Sequence, residues 1–217
     1  MAKTGALFFW LGGVLAPSIP DLIAHTLFKS PIEKVNIHAR LRTRQLTTDL
    51  CLGHITAEAF CHTLIQEHAN GLTIAELETA VKNAVQLRGD VLDVIAQLPS
   101  DLERWTICDY PKAWYEAAIG DRGLAEVFFS DHILFTVESR LSHLVPNIFD
   151  HLSSATGHPL DTCLLIDALT PRAVDAVKHG LDATIFVDAR RLKRDFVLRR
   201  MLPFPLGFVH PGPAQQG

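Results

Sequence analysis

Residues 6–16 read ALFFWLGGVLA, an unbroken apolar run that closes on the pair Gly12-Gly13 and leads to Pro17 and Pro20. Lys3 ahead of this run imitates the charged and hydrophobic regions of a secretory leader. The run is well short of the ~20 apolar residues that cross a bilayer. A fully buried strand, ending in a glycine turn, accounts for the same letters and for the prolines beyond them. A strand over 6–11 is therefore expected, and the chain is read outward from it.

From about residue 20 to 99 the apolar spacing is helical. Ala57, Phe60 and Leu64 recur three and four apart, as do Ile74, Leu77 and Val81, and Val91, Val94, Ile95 and Leu98. Thr56 and Thr73 suit helix N-caps, and Glu76 three residues after Thr73 completes a capping box. Beyond residue 104 short β-type runs alternate with helices. Strands are expected at 104–108, 126–129, 162–166 and 183–187, with helices near Trp114, after Pro146, from Pro171 and from Ala189. Such alternation implies a parallel sheet between layers of helices. The fold class is therefore α/β, a Rossmann-like three-layer parallel sheet with an inserted α-helical cap. Residues 1–15 and 90–217 form a discontinuous core, and 16–89 form the cap.

Composition sets the outer limits. The chain has 217 residues, 48% hydrophobic and 20% charged, with 13 Gly and 12 Pro. That excludes disorder and collagen-like repeats. A net charge of -4 gives no general electrostatic case for nucleic acid or an acidic membrane as partner. Cys51, Cys61, Cys108 and Cys163 lie far apart in a chain too large to need staples, so reduced thiols and a cytoplasmic setting are expected.

In an open parallel sheet, ligands sit at the carboxyl ends of the strands near the switch point. That rule selects Trp10 to Gly13, Cys108-Asp109, the segment around His143, and Asp167-Ala168. In this order they resemble the four motifs of the haloacid dehalogenase (HAD) superfamily, over nearly the whole chain. FWLGGVL at 9–15 is similar to the first motif, commonly FDLGGVL. TICDYP at 106–111 is similar to the second, usually a Ser-Asn pair before Tyr-Pro. HLVPNIF at 143–149 resembles the third, usually Lys-Pro-Asp-Pro-x-Ile-Phe. LLIDALTPRAVDAVKHG at 164–180 resembles the fourth, in which paired aspartates precede a helix ending in Gly. LGHITAEAFCHTL at 52–64 is similar to the cap segment of the small phosphatase and dehalogenase branch.

The resemblance implies an aspartate nucleophile, a Mg²⁺ held by carboxylates, and cationic and hydroxyl groups around a phosphate. This sequence departs from that set at most positions. Trp10 stands at the nucleophile, Gly12 at the general acid/base, Cys108 at the Ser/Thr, His143 at the Lys and Ala168 at the second acidic residue. Asp167 alone remains as a metal candidate, so no metal or other cofactor is expected. Loss of a covalent nucleophile removes on the order of 10⁴ to 10⁶ in rate, by analogy with protease triads. The expected function is therefore a hydrolase-fold protein without family catalysis. It would bind a small molecule or a partner protein through Trp10, Gly12, Gly13, Cys108, Asp109, His143 and Asp167.

Two enzymatic alternatives stay open. One is residual, Mg²⁺-dependent hydrolysis through Asp21 or Asp109. The other uses Cys108, His143 and Asp167 as nucleophile, base and orienter, or as soft-metal ligands. Cys51, His54, Cys61 and His62 cluster in sequence, but adjacent side chains on a helix point about 100° apart, so packing is the expected role. The last helix carries Arg190, Arg191, Lys193, Arg194, Arg199 and Arg200, with Leu192, Phe196, Val197 and Leu198 between them. It is expected to cover the sheet and present a solvated cationic face, not a nucleic-acid site. A homo-oligomer remains open.

Overall fold

The computed structural model describes residues 4–68, 71–120, 124, 127–128, 132–141 and 147–203. Among the described residues five strands form one all-parallel sheet with helices around it, the Rossmann-like α/β arrangement. They are β1 (Ala6–Trp10), β2 (Glu103–Cys108), β3 (Ile133–Phe135), β4 (Leu164–Asp167) and β5 (Asp182–Ile185), in the order β3-β2-β1-β4-β5. β1 lies at the centre, flanked by β2 and β4, and every residue of β1 and β4 is buried. That burial explains why both read as continuous apolar runs instead of alternating ones.

Among the described residues six helices separate β1 from β2: α1 (Ile19–Leu27), α2 (Pro31–Arg42), α3 (Gln45–Cys51), α4 (Ala57–His68), α5 (Ile74–Ala84) and α6 (Gly89–Ala96). α1 packs on α2 and α5, and α4 on α3 and α5. Their starts follow local chemistry. Ser18 and Asp21 form a capping box at α1, Thr73 and Glu76 form the expected one at α5, and Thr56 Oγ1 accepts the Ala59 N–H at 3.1 Å. The remaining helices are α7 (Lys112–Ala118), α8 (Thr136–Ser139), α9 (Asn147–Thr156), α10 (Thr170–Lys178) and α11 (Ala189–Leu198). α10 packs on β4 and β5, and α11 on α6.

One strand expectation is corrected. Residues 126–129 were the expected third strand, but Val127 and Phe128 belong to a turn whose N–H groups donate to the Leu124 carbonyl at 3.0 and 2.7 Å. Glu126 and Phe129 lie outside the described residues. The third strand is Ile133–Phe135 at the sheet margin. A short apolar run cannot be told from a packed turn by pattern alone. The expected packing of α11 is corrected at one end: Leu192, Phe196 and Val197 are buried, but Leu198 is 63% exposed. Among the described residues no helix is long and apolar enough to cross a membrane, and all four cysteines are free.

Candidate functional site

The carboxyl ends of β1, β2 and β4 bring Trp10, Cys108-Asp109 and Asp167 to one edge of the sheet, as the switch-point rule requires. His143 lies outside the described residues. The group that joins the others is Arg172, in the first turn of α10. Its Nε donates to Asp167 Oδ2 at 2.6 Å and its Nη2 to Asp167 Oδ1 at 2.7 Å, a bidentate pair. Its guanidinium lies over the Trp10 ring, 3.7 Å from the centroid, a close cation–π contact. Its Nη1 is 3.7 Å from Asp109 Oδ2. Arg172, Trp10, Asp109 and Asp167 are all buried.

The loops complete this cluster. Asp167 Oδ1 also accepts the Leu169 N–H at 2.9 Å, and Asp109 Oδ1 accepts the Gly12 N–H at 3.1 Å. Gly12 is needed for that approach, because a Cβ there would lie 2.7 Å from Asp109 Oδ1. Gly13 has φ +94°, a left-handed conformation that glycine adopts without strain. Burial pushes the Asp167 carboxyl above its ordinary value, and the Arg172 guanidinium and the Leu169 N–H pull it back part of the way.

A Mg²⁺ ion, which the motif resemblance implies, does not fit these residues. Octahedral Mg²⁺ needs carboxylate oxygens with free lone pairs. Both Asp167 oxygens already accept strong N–H bonds, Asp109 is held by Gly12 and Arg172, and Trp10 offers no oxygen. Among the described residues no three His, Cys, Asp or Glu side chains converge to hold a metal. Cys61 is buried in α4 and the adjacent His62 is exposed beside Gln66, while His54 pairs with Asp49 at 3.3 Å.

Cys108 is fully buried, with Sγ 3.8 Å from the Tyr110 carbonyl, and burial pushes its thiol well above the ordinary range. Such a thiol stays neutral and unreactive near pH 7. Asp21 carries its own partners: it caps α1 and pairs with His38 Nε2 at 3.0 Å.

Above the cluster lies a cavity of about 300 Å³, walled by Trp10, Asp109 and Arg172 on the sheet side. On the opposite wall are Arg42, Thr47 and Cys51 of α2 and α3, with Arg88 just before α6. Here the polar groups are open. Arg42 and Arg88 are exposed and pair with no carboxylate among the described residues, Arg88 lying 5.8 Å over the Phe186 ring. Thr47 Oγ1 and the Trp10 indole N–H are buried without a hydrogen-bond partner.

Of the residues expected from sequence, the structure brings Trp10, Asp109 and Asp167 together; Arg172, Arg42, Arg88 and Thr47, which share the cluster or its cavity, are not among them. Arg172 had a legible signal. An arginine at the third position of a helix opposes the helix dipole, and such a residue needs nearby carboxylates. The cavity arginines had none, because their shared wall depends on how the helices pack.

No protein-family model and no curated protein matches the sequence. Solved structures do match. A HAD family enzyme from Bacteroides thetaiotaomicron, in complex with magnesium and inorganic phosphate, is 16% identical and aligns over 88% of this chain and 99% of its own, with TM-score 0.66. A predicted HAD-like family hydrolase from Porphyromonas gingivalis is 17% identical over 91% of this chain and 99% of its own, with TM-score 0.67. L-2-haloacid dehalogenase from Xanthobacter autotrophicus is 17% identical over 93% and 85%, with TM-score 0.64. At this identity the likeness is one of architecture: the chain has the fold of the haloacid dehalogenase superfamily.

Proposed function

We propose that this chain is a non-hydrolytic HAD-fold protein that binds a small organic anion in the cavity between the sheet edge and helices α1–α3. The observation that carries the reading is the Trp10–Arg172–Asp167 stack. It places an indole at the nucleophile position and commits the remaining carboxylate to a guanidinium. The fold neighbours are hydrolases, but fold alone does not carry chemistry. Residues 16–89 act as the cap, contributing Arg42 and Thr47 to the ligand. Two arginines without carboxylate partners favour an anion. A volume of about 300 Å³, at the lower end of small-molecule sites, favours a compact one. Four free thiols suit a reducing, cytoplasmic compartment.

Two measurements test this reading. Purified protein is assayed on an aryl phosphate and on 2-chloropropionate, with and without Mg²⁺; background rates are expected throughout. Mg²⁺-dependent turnover abolished by Asp167→Ala would overturn the loss of catalysis. Calorimetric titration with small carboxylates and inorganic phosphate then tests the binding claim. Binding weakened at least tenfold by Arg42→Ala combined with Arg88→Ala is expected, about 1.4 kcal/mol. Absence of binding by every anion, with a partner protein recovered instead, would move the function to the protein surface.

A further inference from the structure

We infer that Arg172 is the resident cation of this site, an intramolecular replacement for a divalent ion, and that Trp10 is the positioning residue that holds it there. The inference rests on the cluster itself and is independent of whether the cavity above takes an anion.

Three observations converge. The first is geometric. The guanidinium meets both oxygens of Asp167, lies 3.7 Å from Asp109 Oδ2, and so sits between the carboxylates of β4 and of the loop after β2. The second concerns charge. A site with an indole in place of a carboxylate has one negative charge fewer. While the guanidinium is bound, Asp109 and Asp167 leave a divalent ion no open pair of oxygens, whereas a monovalent, planar cation is matched by one bidentate carboxylate and one aromatic face. The third is the position of Arg172 in the first turn of α10, where the helix dipole repels a cation. Asp167, five residues earlier, overcomes that repulsion. Displacing the buried guanidinium by Mg²⁺ would leave an unpaired buried cation, a costly state. The cluster thus carries its own cation and needs no supply of metal.

The prediction is an exchange: removal of the guanidinium should create a metal response that the wild type lacks. Tm of the full chain is measured in EDTA and in MgCl₂, and Tb³⁺ emission is excited through tryptophan. Wild type is expected to show the same Tm in both and no sensitised emission. Arg172→Ala is expected to melt lower in EDTA, recover several degrees in Mg²⁺, and raise Tb³⁺ emission severalfold. That emission should be lost in Arg172→Ala combined with Trp10→Phe, which removes the adjacent indole. If Arg172→Ala is unfolded in EDTA, folding on addition of Mg²⁺ supports the inference. A metal response in the wild type overturns it, as does Arg172→Ala behaving alike in EDTA, Mg²⁺ and Tb³⁺. Arg172→Lys keeps the charge but not the planar fork, so it should respond to Mg²⁺ far less than Arg172→Ala; an equal response overturns the inference too.

Discussion

The two walls of the cavity follow opposite rules. On the sheet side, the charged groups of Trp10's neighbourhood are paired: Asp167 with Arg172 and Leu169, Asp109 with Gly12 and Arg172. On the helical side, Arg42 and Arg88 have no carboxylate partner among the described residues, and Thr47 Oγ1 is buried without one. A wall whose charges are paired contributes to stability, whereas one with unpaired cations is available to a ligand; the Trp10 indole N–H, buried without a partner, is the exception on the sheet side. The comparison separates residues bound into the fold from residues whose polar groups are free for the ligand proposed above, although both kinds line the same space.

The largest expected effect lies on the paired wall. Arg172→Met should leave Asp167 buried and unpaired, lowering stability by about 3–5 kcal/mol in urea denaturation. A loss no larger than that of a surface arginine would break the contrast between the walls. Next comes Gly13→Val. It forces a branched side chain into φ +94°, with the Ala168 Cβ 3.0 Å from where its own Cβ must go, and should destabilise by about 2–3 kcal/mol.

A third test uses pH and lies outside both walls. Burial pushes the Cys61 thiol up to about 12, above the ordinary value of 9.0 that the unfolded chain has. Because the folded pKa is the higher one, this stability is complete below pH 9 and is lost as pH rises from there toward 12. The slope is about 1.4 kcal/mol per pH unit for one thiol. Cys61→Ala should lower stability near pH 7 but flatten the decline above pH 9. Equal slopes for variant and wild type would show that this thiol ionises normally in the fold. The smallest expected effect belongs to the open wall. Arg42→Ala and Arg88→Ala should each change stability by no more than about 0.5 kcal/mol. A larger loss would mean that these arginines hold the structure and would erase the boundary between the two walls.

Much of this division was present in the letters. The burial of β1 and β4 follows from their continuous apolar runs, and the boundary of α5 follows from Thr73 and Glu76. Trp10, Asp109 and Asp167 were found because strand ends in a parallel sheet are fixed by strand order. Two kinds of information were not legible. β3 is three residues long at the sheet margin, and a span that short gives no periodicity, whereas 126–129 carries the more β-like letters. The open wall is assembled from α2, α3 and Arg88, whose meeting depends on helix packing that no local pattern encodes. Arg172 falls between these cases. Its unfavourable place at a helix start was visible, but its partner became clear only when the turn from β4 into α10 folded it back over Asp167.

The Arg172 cluster also has a consequence in time. It joins segments around residues 10–12, 109 and 167–172, so it can close only after β1, β2 and β4 are aligned. Contacts that must await three aligned strands are expected to form after the folding barrier and to act mainly on the unfolding rate. The Trp10–Arg172 stack is thus a brake on escape from the native state, and in Arg172→Met the unfolding arm of the chevron should carry most of the change.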